Sequence, residues 1–145
     1  MKIAIVKLSA LGDIVHAMAV IQFIKMHDKK VEIDWVIEEC FSSLLDYHPG
    51  INKIHKVNIK KAKQEQSLIK LIREFINIRK FGPYDIVIDM QGLIKSALVS
   101  RLIPSHSTIG FDKFSIREKL ASFFYSKTFQ YGYDENIVER NIALI

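Results

Sequence analysis

The chain has 145 residues, of which 49% are hydrophobic and 26% charged, and its formal net charge at pH 7 is +5. This composition is typical of one globular domain with a sizeable core and excludes a disordered chain. Apolar runs such as residues 3–6 and 86–88 are far shorter than the roughly 20 residues that a membrane span needs. No signal-peptide cleavage site follows the first residues. We therefore expect a soluble protein that is not exported.

Cysteine and histidine usage argues against disulfides and against a metal site. Cys40 is the single cysteine, so it closes no internal disulfide, and the five histidines lie in no metal-ligand spacing. A reducing compartment, the cytoplasm, and a site without metal or other cofactor are therefore expected.

Positive charge is concentrated in one segment, residues 56–63, with the sequence KVNIKKAK. It carries four lysines and no acid. Such a run is either a solvated loop, which is the commoner case, or a contact for an anionic partner. The lysines are not interleaved with aromatic residues and no groove-reading motif is present, so no nucleic acid is expected as a partner.

Strand and helix patterns alternate along the chain. Short apolar or alternating runs predict strands at residues 2–7, 32–38, 54–59, 84–90 and 107–111. Helical patterns fill the gaps at residues 13–26, 40–47, 65–80, 96–103 and 117–125, and the last residues are again helical in pattern. The clearest helix, 65–80, places an apolar stripe of Leu68, Ile69, Ile72, Phe75 and Ile76 on one side. The alternation predicts an α/β fold, a Rossmann-like parallel sheet flanked by helices.

Ligands of such sheets bind beyond the carboxyl ends of the strands, which directs attention to the segment LSALGD at residues 8–13. It has neither the three spaced glycines of a dinucleotide fingerprint nor the Gly-Lys-Ser/Thr ending of a P-loop. Glu38 and Glu39 lie where a ribose-binding acid would be, but without the glycines they are better explained as caps of the next helix.

Asp13 stands at the start of the first predicted helix, where its carboxylate can accept free backbone N–H groups. Helix capping is one explanation of this residue. The other is a general base at the top of the sheet, beside the small residues Ser9, Ala10 and Gly12, which let a substrate hydroxyl approach. The residues alone leave the two explanations even.

Several blocks of sequence, in order and over the whole chain, resemble one family. They are KLSALGDIVHAMAV, EIDWVIEE, YDIVIDMQGLIKSALVSRL, GFDKFSIREKLASFFY and IVERN. Together they are similar to the amino-terminal half of the lipopolysaccharide heptosyltransferases, glycosyltransferase family nine. The blocks DWVIEE and DMQGLIKS look more like the type I than the type II enzymes of this family.

The resemblance implies a fold and a reaction. Enzymes of this family have two Rossmann-like domains that face each other across a cleft, the GT-B fold, and are metal-independent inverting transferases. The resemblance implies that residues 1–145 are the amino-terminal, acceptor-binding domain and that the carboxy-terminal domain, which binds ADP-heptose, lies outside this chain. Asp13 is then the base that takes the proton from the attacking hydroxyl of a Kdo sugar on lipid A.

The same resemblance assigns acceptor contacts to Lys60, Lys63, Gln91 and Arg117, with Lys95 nearby. The acceptor carries carboxylates and phosphates, which gives the lysine run a role. The family pattern has arginines and a tryptophan where this chain has 60-KKAK-63, so point charges replace bidentate contacts. Surface charge at a helix start remains an alternative explanation of Lys95 and Arg117.

Two further expectations follow from the resemblance. Because the acceptor is anchored in lipid, we expect peripheral attachment to the cytoplasmic face of the inner membrane, favoured by the basic residues 56–63. Because the donor-binding residues belong to the other half, residues 1–145 alone are expected to transfer no heptose. A binding module that holds an anionic glycan without chemistry is the alternative function.

Overall fold

The computed structural model describes residues 1–132 and 134–145, which form a six-stranded parallel sheet with helices on both faces. The strand order is β3-β2-β1-β4-β5-β6. The strands are β1 (Lys2–Val6), β2 (Glu32–Glu38), β3 (Lys53–Val57), β4 (Tyr84–Asp89), β5 (Ser105–Phe111) and β6 (Lys127–Phe129). The α-helices are α1 (Leu11–His27), α2 (Ile59–Gln64), α3 (Leu68–Ile78), α4 (Ile94–Leu102) and α5 (Ile137–Ile142), and two 3₁₀ helices span Glu39–Leu45 and Lys119–Phe124. The predicted α/β, Rossmann-like class is confirmed.

The central strands β1, β2 and β4 are buried on both faces of the sheet, which explains why they read as apolar runs. In β1, Ile3 and Ile5 belong to one apolar cluster, which includes the buried side of α1. Ala4 and Val6, whose side chains point to the opposite face, belong to the second cluster, with residues of α4 and Ile78 of α3. The strand order reverses direction between β1 and β4, the two central strands. This switch point is where ligands bind in sheets of this order.

The segment predicted as a basic loop is a helix. β3 ends at Val57, earlier than expected, and α2 then carries Lys60, Lys61 and Lys63. The reason lies far away in sequence: the Glu38 carboxylate is buried and accepts a hydrogen bond from the backbone N–H of Lys60 at 3.0 Å. A carboxylate at this position stabilises a helix start through its free N–H groups and its dipole. Glu38 therefore caps α2, and not the helix that directly follows it in sequence.

Three other elements differ from the prediction. The segments 40–47 and 117–125, predicted as α-helices, are 3₁₀ helices of seven and six residues. Such short segments gain few α-helical hydrogen bonds for the cost of nucleation. β6 was not predicted, because three exposed residues at a sheet edge show no apolar pattern.

Four of the five residues in the predicted apolar stripe of α3 face outward, and the fifth, Phe75, is partly buried against the second cluster. A stripe of this kind normally packs against the core, but Leu68, Ile69, Ile72 and Ile76 are between 55% and 75% exposed. Only Ile78 of this helix is buried. The opposite side of the helix, with Leu71, Phe75 and Ile78, packs against the second cluster. The outward apolar face contacts no partner among the described residues.

Candidate active site

A cavity of about 440 Å³ opens at the switch point, beyond the carboxyl ends of β1 and β4. The loop after β1 contributes Ser9 and Ala10 to its wall, and the loop after β4 contributes Gln91 and Gly92. Its charged lining residues are Lys7, Asp13, Arg117, Glu135 and Arg140. Four of the residues predicted from the sequence, Ser9, Asp13, Gln91 and Arg117, therefore meet in one place.

Asp13 lies in the first turn of α1, but its side chain does not cap the helix. The N-cap residue is Ala10, which provides no side-chain hydrogen bond. The Asp13 carboxylate instead lies 3.5 Å from the ammonium nitrogen of Lys7, and 54% of its side chain is exposed. The capping explanation of Asp13 is therefore wrong, and an exposed carboxylate at the cavity remains.

Lys7, the partner of Asp13, is the site residue that sequence reasoning missed. It follows β1 directly and is only 3% exposed, and its Nζ also donates to the backbone carbonyl of Met90 at 3.2 Å. Burial lowers the pKa of the Lys7 ammonium group, and the charges of Asp13 and Asp89 oppose this effect. A lysine directly after a buried strand was the available signal, but its burial depends on β4, which lies about 80 residues away in sequence.

Gln91 ties the two loops of the site together. Its Oε1 accepts hydrogen bonds from the backbone N–H groups of Leu8 and Ser9, at 2.8 Å and 3.2 Å. Its Nε2 donates to the Ser9 hydroxyl at 3.2 Å. In the structure, the Gln91 side chain fixes the loop on which Ser9 stands, and its contact with the acceptor stays a prediction.

Asp89, the last residue of β4, fixes the loop that follows this strand through hydrogen bonds. It is fully buried, and its carboxylate accepts bonds from the Tyr125 hydroxyl at 2.7 Å and from the N–H groups of Gln91 and Gly92. Burial raises the pKa of Asp89, and the hydrogen bond from Tyr125 opposes this rise. Gly92 has a φ of +69°, and a Cβ there would lie 2.6 Å from Ile116, so the turn requires glycine.

A second, wider cleft of about 770 Å³ adjoins the cavity and shares Ser9, Ala10 and Leu93 with it. Lys60 and Lys63 of α2 and Lys95 of α4 line this cleft. Lys95 is ion-paired with the buried Glu38 at 3.2 Å, so part of its charge is compensated. The predicted lysines are therefore grouped with one another in this cleft and do not line the Asp13 cavity.

Two residues at the rim complete the arrangement. Gly12 lines neither cavity, but it is exposed and a Cβ built there meets no atom within 4 Å, so the space beside Asp13 is open. Arg140 on α5 was not singled out from the sequence. It is 8% exposed, its guanidinium lies 4.7 Å from the Phe111 ring, and its Nη2 donates to the Ser115 carbonyl.

The described residues contain neither a metal-binding group of side chains nor a membrane-spanning helix. Nowhere in residues 1–132 and 134–145 do three or more His, Cys, Asp or Glu side chains form a group that could hold a metal ion. Over the same residues, no helix combines the length and the apolar character needed to cross a membrane.

The fold and the site together define a Rossmann-like α/β domain with an exposed carboxylate, that of Asp13, in a cavity at its switch point. The family model described as glycosyltransferase family 9 (heptosyltransferase) matches residues 73–145, just over half of the chain. The chain belongs to this family.

Relatives of known name point to the type I enzymes. Lipopolysaccharide heptosyltransferase 1 of Campylobacter coli is 44% identical over 144 residues, and the match covers 99% of this chain and 40% of that protein. The proteins of the same name from Pseudomonas aeruginosa and Escherichia coli K12 are each 34% identical and are covered to 41% and 46%. The chain thus spans less than half the length of these relatives.

Solved structures agree with the fold. The E. coli heptosyltransferase WaaC with ADP superposes with a TM-score of 0.89 at 32% identity, covering 99% of this chain and 46% of that chain. The E. coli ADP-heptose LPS heptosyltransferase II gives a TM-score of 0.75 at 20% identity, which supports the fold alone. The resemblance to the type I members of the family is confirmed.

Proposed function

We propose that this chain is the acceptor-binding domain of an inverting heptosyltransferase that transfers L-glycero-D-manno-heptose from ADP-heptose to a Kdo residue of Kdo-lipid A. The observation that carries the proposal is the exposed Asp13 carboxylate at the switch point, held beside Lys7 at the rim of a cavity large enough for a sugar. Family membership and the names of the relatives support the substrate class.

In the proposed reaction, Asp13 is the general base. A sugar hydroxyl is a poor nucleophile at neutral pH, so a positioned proton acceptor raises the rate. The hydroxyl oxygen of the acceptor bonds to the anomeric carbon of heptose while the bond from that carbon to ADP breaks on the opposite face. The hydroxyl proton moves to Asp13 and the electron pair leaves with ADP, which inverts the configuration of the anomeric carbon.

Lys7 supports this role through Asp13. Its ammonium group lies within 3.5 Å of the carboxylate and is fixed by the Met90 carbonyl, so it restricts where the carboxylate points.

The second cleft suits the anionic part of the acceptor. Lys60 and Lys63 are exposed at its edge and attract carboxylates and phosphates as point charges. Lys95 and Arg117 extend the positive lining on either side of Leu93. We assign Gln91, Ser9 and Gly12 to the shape of the wall along which the acceptor sugar approaches Asp13.

The remaining assignments are part of the same proposal. Donor binding belongs to a carboxy-terminal domain that corresponds to the part of the relatives this chain does not cover. In the solved structures of E. coli WaaC the bound ligands are ADP and ADP-2-deoxy-2-fluoro heptose, and we carry ADP-heptose over as the donor. Transfer needs no metal or other cofactor, and the protein acts at the cytoplasmic face of the inner membrane.

A transfer assay tests the proposal. The full-length gene product is incubated with ADP-heptose and Kdo-lipid A in the presence of a chelator, and the lipid product is followed by mass spectrometry. The proposal predicts the addition of one heptose. Binding of Kdo-lipid A without transfer would instead favour the anionic-glycan-binding module.

A further inference from the structure

The outward face of α3 is defined by four apolar side chains, Leu68, Ile69, Ile72 and Ile76. Their exposed fractions are 75%, 67%, 56% and 55%. The spacing places all four on one side of the helix. Contiguous exposed apolar surface of this kind marks an interaction site.

Positive charge surrounds this apolar face. Residues 59–80, which comprise α2, the linker 65–67, α3 and the two residues after α3, contain seven basic and two acidic residues. This segment therefore carries the whole formal charge of +5, and the rest of the chain is neutral. Arg73, Arg79 and Lys80 are exposed and form no ion pair within the described part of the chain.

Both acids of the segment are already engaged. Glu65 is ion-paired with Lys70, and Glu74 accepts a hydrogen bond from the backbone N–H of Asn58 at 2.9 Å. Both carboxylates are already counted in the net charge of +5, and neither forms an ion pair with Arg73, Arg79 or Lys80 in the described part of the chain.

We propose that the exposed face of α3, flanked by Arg73, Arg79 and Lys80, is a docking surface for an anionic phospholipid bilayer. An amphipathic helix with Leu or Ile on one side and Lys or Arg beside it lies in the membrane interface, with its apolar face among the acyl chains and its cations among anionic headgroups. A second copy of the chain fits less well, because two-fold pairing would bring two segments of net charge +5 together.

The helix α3 lies next to the second cleft, which relates the lipid contact to the site. α2 connects β3 to α3 and carries Lys60 and Lys63 at the edge of the second cleft. Gln66, in the linker between α2 and α3, also lines this cleft, so a membrane in contact with α3 lies next to the lysines. This part of the inference rests on the proposed function, whereas the lipid contact itself does not.

Vesicle sedimentation tests the contact. The full-length protein is mixed with vesicles of phosphatidylglycerol and phosphatidylcholine, or of phosphatidylcholine alone, which contain neither donor nor acceptor. In the full-length protein, vesicle binding reports only a face that the carboxy-terminal domain leaves open. We expect binding to the anionic vesicles, weakened but not abolished by salt. Ile69→Ser with Ile72→Ser should weaken it by about tenfold or more, because apolar burial in the interface is lost. Arg79→Gln with Lys80→Gln should weaken it by a similar factor.

Matched controls separate the face of α3 from exposed apolar residues in general. Leu120 and Phe123, 62% and 78% exposed, lie in the second 3₁₀ helix, and their change to serine should leave binding within about twofold. Melting curves confirm that each variant is folded.

Unchanged vesicle binding by the Ile69 and Ile72 variant would overturn the inference. The inference would also be overturned if light scattering showed that the parent protein is a dimer and that the Ile69 and Ile72 variant is a monomer. Loss of heptose transfer with intact vesicle binding would count against the proposed function alone.

Discussion

Gln91 and Ser9 are joined at both ends of the glutamine amide. The Gln91 Oε1 accepts the Ser9 N–H at 3.2 Å and the Nε2 donates to the Ser9 hydroxyl at 3.2 Å, so two loops that follow neighbouring strands are held as one wall. This wall separates the Asp13 cavity from the lysine cleft, because Ser9 lines both.

The first prediction concerns this link. Gln91→Met leaves the N–H groups of Leu8 and Ser9 without their acceptor, and an unpaired buried donor costs about 1–3 kcal/mol. We expect the free energy of unfolding, measured with urea, to fall by that amount. Gln64→Met, on the exposed side of α2, should change it by less than about 0.5 kcal/mol. An unchanged stability for Gln91→Met would assign Gln91 to ligand contact only.

The second prediction concerns Lys7. Lys7→Met removes the cation that restrains Asp13, and kcat of the full-length protein should fall by up to roughly 10²-fold, because misplaced reacting groups lose rate steeply. The acceptor KM should change much less. In the Asp13→Asn background the same change should have no further effect, since Lys7 acts through the carboxylate.

Lys7→Arg supplies the pH readout for the same residue. Burial lowers the pKa of Lys7, so its proton is lost at a lower pH than that of an ordinary lysine, and kcat should fall on the alkaline side. Arginine stays charged there, so the alkaline fall should move to higher pH. If Lys7→Met lowers kcat by the same factor in the parent protein and in the Asp13→Asn variant, Lys7 is a structural residue.

The third prediction concerns the lysine cleft. Lys60→Ala with Lys63→Ala should raise the acceptor KM of the full-length protein by roughly tenfold, because two charge contacts with an anionic acceptor are lost. The KM for ADP-heptose should hardly move. Lys29→Ala with Lys30→Ala, at an exposed turn between α1 and β2, is the matched control. Equal changes in both KM values would assign Lys60 and Lys63 to solvent.

The fourth prediction concerns pH and the opposite end of the sheet. His55 is buried, and its Nε2 lies 2.8 Å from the Tyr84 hydroxyl, which donates to Asp34 at 2.6 Å. Burial lowers the pKa of His55 and the Asp34 carboxylate opposes this effect. The unfolded chain therefore binds the His55 proton more readily than the folded chain does. His55 thus favours folding above about pH 6.5, the ordinary histidine pKa, and this contribution is lost as the pH falls.

Urea unfolding at several pH values between about 7.5 and 5 checks the sign. The stability of the parent chain should decrease over this range more steeply than that of His55→Gln, which has no titrating imidazole. His106→Gln is the control, because the His106 side chain is 86% exposed, and it should follow the parent. Parallel curves for the parent and His55→Gln would refute the assignment.

Local patterns predicted five of the six strands and the position of Asp13, because those five strands are short apolar or alternating runs and the segment that follows β1 is short. They did not predict what depends on distant partners. The lysine segment 60–63 becomes helical because Glu38 caps it from another strand. Lys7 is buried where its ammonium group donates a hydrogen bond to the carbonyl of Met90, a residue that is distant in sequence. The apolar pattern of α3 predicted a helix but not that its apolar face would be exposed.

Asp13→Asn in the full-length protein tests whether Asp13 is the general base. Asparagine keeps the shape and leaves an oxygen near Lys7, but it cannot take the proton from the acceptor. The measurement is kcat for transfer from ADP-heptose, together with a melting curve of the same variant. The account predicts a fall in kcat of roughly 10²–10⁴-fold with a melting temperature within a few degrees of the parent. A kcat within a few-fold of the parent would contradict it.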